Sequence, residues 1–344
     1  MNKRKAIIIT YYKASNYGAF LQAYSLQEFL KKSGIDVEFC GYGEMLSKLT
    51  EVLFRLTGKI RIGRQDLKYR KRLSRVIKDA VKRNISVAKK RKNYDVAILG
   101  SDEIWNINNV TAPHNSIFYK KYKHSNLSIS YAASAGNASV SDYKFCPWLI
   151  KQLGTLDGIG VRDDITEKLI VECRINKEIN RVVDPTFFLN IENIGKKEIH
   201  YDNPYIFVYT YGISNDYIRM IRFFSKEKGL KIVATGCYCK WADYNPIPSP
   251  EEWISLIDKA DYVFTSTFHG TVFSILLKKN FIVADNGSEK IHSLLVQYEL
   301  LDRRISNHSI LVDTYIKKID YEDIERKINL DIQKSRKYIL SYFN

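Results

Sequence analysis

Short apolar runs alternate with longer amphipathic stretches along almost the whole chain. Runs at 6–10, 37–40, 96–99, 128–131, 158–161 and 181–183 have the length of buried strands, and helical periodicity fills the intervals between them. The first helical pattern covers 19–32 and stops at Gly34, a residue suited to the left-handed turn that ends a helix. A polar stretch at 190–203, closed by Pro204, reads as a link between domains. Beyond it the pattern restarts with a strand at 205–209, a helix at 216–228 and a strand at 231–234. A helix at 250–259, a strand at 262–264, a helix at 271–279 and a strand at 281–283 follow. A last helix, 321–342, closes the chain. Strands that alternate with helices predict parallel sheets. The expected fold is α/β, with two doubly wound Rossmann-like domains facing a cleft. The first domain is expected over 1–190 and the second over 204–320, with residues 321–344 packing back on the first.

Length agrees with two domains, because 344 residues exceed one ordinary domain. Five scattered cysteines, Cys40, Cys146, Cys173, Cys237 and Cys239, lack the spacing of a redox or zinc pair and read as reduced thiols. The apolar run behind the basic start is too short for a signal peptide, and no stretch has membrane-spanning length. A cytoplasmic protein is expected.

Charge changes the picture locally. Of a net charge of +16, residues 59–92 carry fifteen Lys/Arg against Asp66 and Asp79. Within them Ile60, Ile62, Leu67, Leu73, Val76, Ile77, Ala80 and Val81 recur at roughly helical intervals. Such a basic helical insertion can lie on an anionic membrane surface, grip nucleic-acid phosphates or simply be a solvated face. No nucleic-acid-binding motif accompanies it, so nucleic acid is not an expected partner. The expected partner is the inner face of the cell membrane, contacted peripherally.

Candidate chemistry collects just after the predicted strands, where open α/β sheets bind ligands. After 262–264 come Ser266, His269, Gly270 and Thr271 at a helix start, where free N–H groups and the helix dipole favour an anion. After 6–10 come Asn16, Tyr17 and Gly18, with Gln22 one turn later. After 96–99 come Asp102 and Trp105, a carboxylate and a flat indole on which a sugar could stack. Arg162-Asp163 and Asp184-Pro185 follow two further strands. Each group alone is equally explained by turn chemistry. The three aspartates could ligate a metal through oxygen, but no metal is required.

Taken together, Asn16-Tyr-Gly-Ala-Phe-Leu-Gln-Ala-Tyr24, Gly100-Ser-Asp-Glu-Ile-Trp-Asn106, Tyr131-Ala-Ala-Ser-Ala-Gly136, Val161-Arg-Asp163, Asp184-Pro-Thr186 and Ser266-Thr-Phe-His-Gly-Thr-Val-Phe-Ser274 resemble, in order, the motifs of the polysaccharide pyruvyl transferase family. Lys290-Ile-His-Ser-Leu-Leu295, followed by Leu301-Asp-Arg303, is similar to its closing motif. The resemblance implies a fold like that of the GT-B glycosyltransferases. It also implies phosphoenolpyruvate as co-substrate, with no other cofactor, and a pyruvate ketal on a lipid-linked or polymeric saccharide of capsule or exopolysaccharide as product. Two positions depart from the pattern: Thr267 and Lys290 stand where parts of the family carry arginine, and lysine offers a point charge without a fork.

The expected catalytic set is His269 as general acid/base, Asp102 as base or hydroxyl acceptor, and Arg162 as an anion ligand. Ser266, Gly270, Thr271, Lys290 and Arg303 are expected to bind the donor. Asn16, Tyr17, Gly18, Gln22 and Trp105 are expected on the acceptor side. Two other functions stay open: a GT-B nucleotide-sugar glycosyltransferase, and a non-catalytic protein that binds polyanions or membranes through residues 59–92.

Overall fold

The computed structural model describes residues 3–41, 63–90, 92–109, 116–190, 201, 203–285, 287–305 and 317–344. The expected link at 190–203 and residues 59–62 and 91 of the basic segment lie wholly or mostly outside these residues.

In the first half β1 (Lys5–Ile9), β2 (Asp36–Phe39), β3 (Tyr94–Leu99) and β4 (Ser125–Ser130) form a parallel sheet in the order β2-β1-β3-β4. The pair β5 (Ile159–Val161) and β6 (Ile179–Arg181) joins its edge through parallel bridges from Ile129 to Gly158 and from Ala133 to Val161. Helices α1 (Tyr17–Lys32), α2 (Arg64–Asn84), α3 (Val140–Tyr143), α4 (Pro147–Leu153) and α5 (Asp164–Glu172) connect them. In the second half β7 (Tyr205–Tyr209), β8 (Lys231–Thr235), β9 (Tyr262–Thr265), β10 (Phe281–Ala284) and β11 (Arg304–Ile305) run parallel in the order β11-β10-β9-β7-β8. Their helices are α6 (Asn215–Lys228), α7 (Pro250–Asp258), α8 (Phe268–Leu276), α9 (Glu289–Gln297) and α10 (Glu322–Leu340). Central strands are apolar on both faces because helices cover both: every residue of β7 and β10 is buried.

Each sheet reverses its winding once, between β1 and β3 and between β7 and β9. Those two switch points face each other across the seam between the halves. Aromatic packing holds the seam. Tyr17 at the start of α1 stacks on Trp253 of α7, with ring centroids 5.2 Å apart, and its hydroxyl donates to the Pro248 carbonyl. A stacked pair of this kind contributes about 0.5–1.5 kcal/mol beyond its area burial. Helix α10 returns to the first sheet, where Tyr338 donates to the Ser130 carbonyl and Ser335 accepts from Val183 N–H.

The basic segment uses part of its surface inside the protein. Tyr69, Leu73, Ile77 and Ala80 of α2 are buried in the protein's own core. Tyr69 donates to the Pro246 carbonyl and Asp66 accepts from Tyr238 N–H, so α2 bridges both halves. Most of its apolar stripe is therefore used internally, Leu67 being exposed, and its outward face is mainly cationic. No helix among the described residues is long and apolar enough to cross a membrane.

Candidate active site

The floor of the cleft is built where β1 and β3 end. Thr10 donates to the Ser101 carbonyl, and Ser101 donates in turn to the Gln22 side chain. These bonds fix the loop that turns Asp102 upward with φ 76°, a left-handed conformation that aspartate tolerates better than most residues. Asn16 caps α1 by accepting from Ala19 N–H at 2.7 Å. Gly18 follows, and a Cβ there would lie 2.1 Å from His269 Nδ1, so only glycine lets the imidazole lie against α1.

The roof is built where β7 and β9 end. Thr210 and Ser266 share a hydroxyl hydrogen bond of 2.7 Å. Thr267 caps α8, its hydroxyl accepting from Gly270 N–H and its carbonyl from Thr271 N–H. Helix geometry then leaves the N–H groups of Phe268 and His269 as first-turn donors with no partner within the helix. Between floor and roof lies a cleft of about 530 Å³, lined by Asn16, Asp102, Glu103, Tyr211, His269 and Lys290 among others.

A charged cluster crosses the seam behind His269. Asp184 is wholly buried and accepts from Arg162 Nη1 at 2.7 Å and from Thr186 N–H and Oγ1. Its Oδ2 stands 3.7 Å from His269 Nε2, which is an ionic contact rather than a hydrogen bond when the ring is protonated. Burial alone would push the Asp184 carboxyl up. His269, Arg162 and Thr186 more than reverse this and hold it well below the ordinary carboxylate range. Nε2 thus faces a fixed anion and Nδ1 lies beside Gly18. Arg162 packs at 4.3 Å on the face of Phe268, and among the described residues its Nε and Nη2 have no hydrogen-bond partner. On the cleft side of Phe268, Lys290 pairs with Glu103 across the seam. Burial would raise the Glu103 carboxyl, but Lys290, Asn106 and Arg162 bring it down to about 2.

The profile of the polysaccharide pyruvyl transferase family matches residues 16–288, most of the chain and all of this cluster except Lys290. The chain belongs to that family. No curated protein sequence matches it. In structure it is similar to a putative UDP-N-acetylglucosamine 2-epimerase from Listeria monocytogenes, with TM-score 0.57 and 11% identity over 99% of this chain and 97% of that one. It is similar also to the UDP-GlcNAc 2-epimerase of Neisseria meningitidis bound to UDP-GlcNAc, with TM-score 0.55 and 13% identity over 99% of each. Likeness at such identity establishes the two-domain GT-B-like architecture and nothing about chemistry.

Of the residues expected at the site of this pyruvyl transferase family member, Asn16, Asp102, Ser266, His269 and Lys290 line the cleft, and Gly18 backs the imidazole. The others are placed differently. Trp105 is fully buried and donates through its indole N–H to the Phe118 carbonyl, so it offers no face to a sugar. Gln22 is buried under the floor, and Tyr17 is part of the aromatic seam. Arg303 is buried away from the cleft, bonded to Asn280 Oδ1 and the Lys317 carbonyl. The amides of Gly270 and Thr271 are taken by the cap, which moves the open donors to Phe268 and His269. Arg162 lies behind Phe268 rather than in the cleft wall. Thr267, a departure from the family pattern, is explained by its capping role.

Sequence reasoning also missed residues. Glu103, Asn106, Asn108, Asn109, Asn137 and Tyr211 line the cleft. The run Asn106-Ile-Asn-Asn109 carried a signal for three of them, because closely spaced amides are hydroxyl-binding groups as much as turn formers. Among the described residues no cluster of three His, Cys, Asp or Glu is arranged to hold a metal ion.

Proposed function

We propose that this protein transfers the pyruvyl group of phosphoenolpyruvate to two hydroxyls of a saccharide, forming a ketal and releasing phosphate. The observation that carries the reading is His269 in the cleft wall, with buried Asp184 and Arg162 behind it and Lys290 beside it. The methylene carbon takes a proton, one sugar oxygen bonds to the neighbouring carbon, and a second displaces phosphate from the same carbon. One hydroxyl proton replaces the proton given to the methylene carbon, and the other leaves with phosphate. His269 gives and receives these protons, with Asp184 steadying the protonated ring across 3.7 Å. Lys290, Ser266 and the Phe268 and His269 amides meet the donor's anionic groups. Asp102 and the cleft asparagines accept and donate to sugar hydroxyls. Arg162 acts through Asp184 and through its charge behind Phe268.

The deciding experiment is phosphate release, which should require both phosphoenolpyruvate and a saccharide acceptor. Stabilisation against heat by UDP-GlcNAc, with no response to phosphoenolpyruvate, would instead place the chain with nucleotide-sugar enzymes of the same architecture. Lys290→Gln should raise the KM for phosphoenolpyruvate about tenfold or more while changing kcat less, as expected for loss of one charge-assisted contact. An unchanged KM would remove Lys290 from the donor site. Gly18→Ala should displace the imidazole and lower kcat by about a hundredfold, since its Cβ and the ring cannot share that space. Circular dichroism on the same sample separates this from misfolding.

The outward face of α2 carries Lys68, Lys71, Arg72, Arg75, Lys78 and Lys82, while Tyr69, Leu73, Ile77 and Ala80 are buried on its other side. We propose adsorption to anionic lipid by charge alone, at about 1 kcal/mol per cation near the surface. Co-sedimentation with phosphatidylglycerol vesicles should therefore disappear at about 1 M salt, where screening reaches about 3 Å. Binding that survives such salt would mean that apolar insertion, not charge, holds the protein there.

A further inference from the structure

The cleft does not end at the charged cluster. Asn108 lines it and also lines a second cavity of about 390 Å³. A chain of hydrogen bonds runs between the two. Glu103, paired with Lys290, accepts from Asn106 Nδ2 at 2.8 Å. Asn106 Oδ1 accepts from Asn108 N–H, and Asn108 Nδ2 donates to Asp142 Oδ2 at 3.0 Å. Above this polar track stand two aromatic side chains, Phe145 at 84% exposure and Trp148 at 55%.

Their exposure follows from how the segment is anchored. Asp142 closes a capping box with Ser139 at the start of α3, and Pro147 begins α4. Tyr143 and Leu149 are buried and hold both short helices to the core, which turns Phe145 and Trp148 outward. Two large aromatics on an open rim, beside a ligand cleft, are what an interaction site looks like. The chemistry of the cavity selects the ligand. Its lining includes Asn108, Ser116 and Asp142 beside the rings and, among the described residues, no lysine or arginine. A phosphate or an anionic lipid headgroup would meet a carboxylate there instead of a cation. A sugar ring presents apolar C–H faces to aromatic rings and hydroxyls to amide and carboxylate groups, which is the combination found.

We propose that Phe145 and Trp148, with Asn108, Ser116 and Asp142, form an outer subsite for a neutral sugar residue adjoining the one held in the main cleft. The acceptor is then an oligosaccharide, read over at least two residues, and Trp148 has the stacking role that buried Trp105 cannot have. This inference rests on the reading of the cleft as a saccharide-modifying site.

The test uses the full chain on an array of defined hexose mono-, di- and trisaccharides. At least one series should bind about tenfold more tightly as the di- or trisaccharide than as its terminal monosaccharide. Phe145→Ala/Trp148→Ala should abolish that gain, and Trp148→Phe with Phe145 intact should restore much of it. Both positions are exposed, so the variants should fold, and their thermal shift with phosphoenolpyruvate should match that of the unaltered chain. No gain with length, or a gain that survives the double substitution, overturns the subsite. So does loss of binding to neutral phosphatidylcholine vesicles in the double variant with the array unchanged, which would make the shelf a lipid contact. Array behaviour as expected without any response to phosphoenolpyruvate would overturn the proposed reaction and leave the subsite standing.

Discussion

Replacing His269 with asparagine should reduce phosphate release by about 10²–10⁴-fold in kcat, the usual contribution of a positioned acid/base. The KM for phosphoenolpyruvate should change by no more than about threefold, because the proposed donor contacts are Lys290 and amides that the substitution keeps. This split separates proton transfer from binding. The position of the ring makes the effect large. One edge lies against Gly18 and the other faces Asp184, so the imidazole is held by both halves of the molecule at once. Any motion that opens the cleft separates His269 from Gly18. The catalytic geometry and the closed arrangement of the domains are therefore one state. Single-turnover measurement with saturating donor and acceptor would check the step directly, and a variant within a few-fold of the parent would remove His269 from proton transfer.

How much of this was legible in the sequence depends on the range of the interactions. Strand positions were legible because apolar runs end abruptly at polar loops, and parallel order follows from alternation with helices. Strand β11 was not, since two residues carry no periodicity and its pairing with β10 comes from the rest of the domain. Helix α8 begins three residues earlier than its apolar pattern suggests, because the Thr267 cap sets the start while periodicity shows only from Val272 onward. His269 could be assigned to a site from its place after a strand, and Lys290 from the closing motif that the chain shares with the family. The contact between Arg162 and Asp184, by contrast, spans 22 residues and depends on how β5 and β6 pair. That Trp105 is covered was invisible for a related reason: it sits in an irregular segment, and tertiary packing alone decides its burial. Glu103 looked like a neighbour of Asp102, yet it lies 187 positions from Lys290, its partner across the seam.

Asp184→Asn should destabilise the protein by about 3–5 kcal/mol, the usual result of removing one partner from a buried ion pair. Arg162 is buried, and among the described residues its Nε and Nη2 have no hydrogen-bond partner, so neutralising Asp184 removes the one carboxylate it is bonded to and leaves a buried cation with only the weaker pull of Asp102 and Asp163. Urea unfolding followed by tryptophan fluorescence should show the midpoint moving down, and an unchanged midpoint would mean that the pair is not buried as described. Arg162→Leu/Asp184→Leu should recover most of the loss, because exchanging both ions for apolar groups removes the desolvation penalty along with the attraction. Its activity should stay low, since the anion facing His269 is gone. The pH dependence has a definite sign. The folded Asp184 carboxyl lies below its ordinary value of 3.8, so its contribution is complete above that value and is lost as pH falls below it. Glu103, brought from 4.5 to about 2, acts in the same direction and over a similar range. The parent should therefore lose stability steeply between about pH 4.5 and 2. In Asp184→Asn that slope should be shallower, with only Glu103 of this pair of carboxylates still taking up a proton.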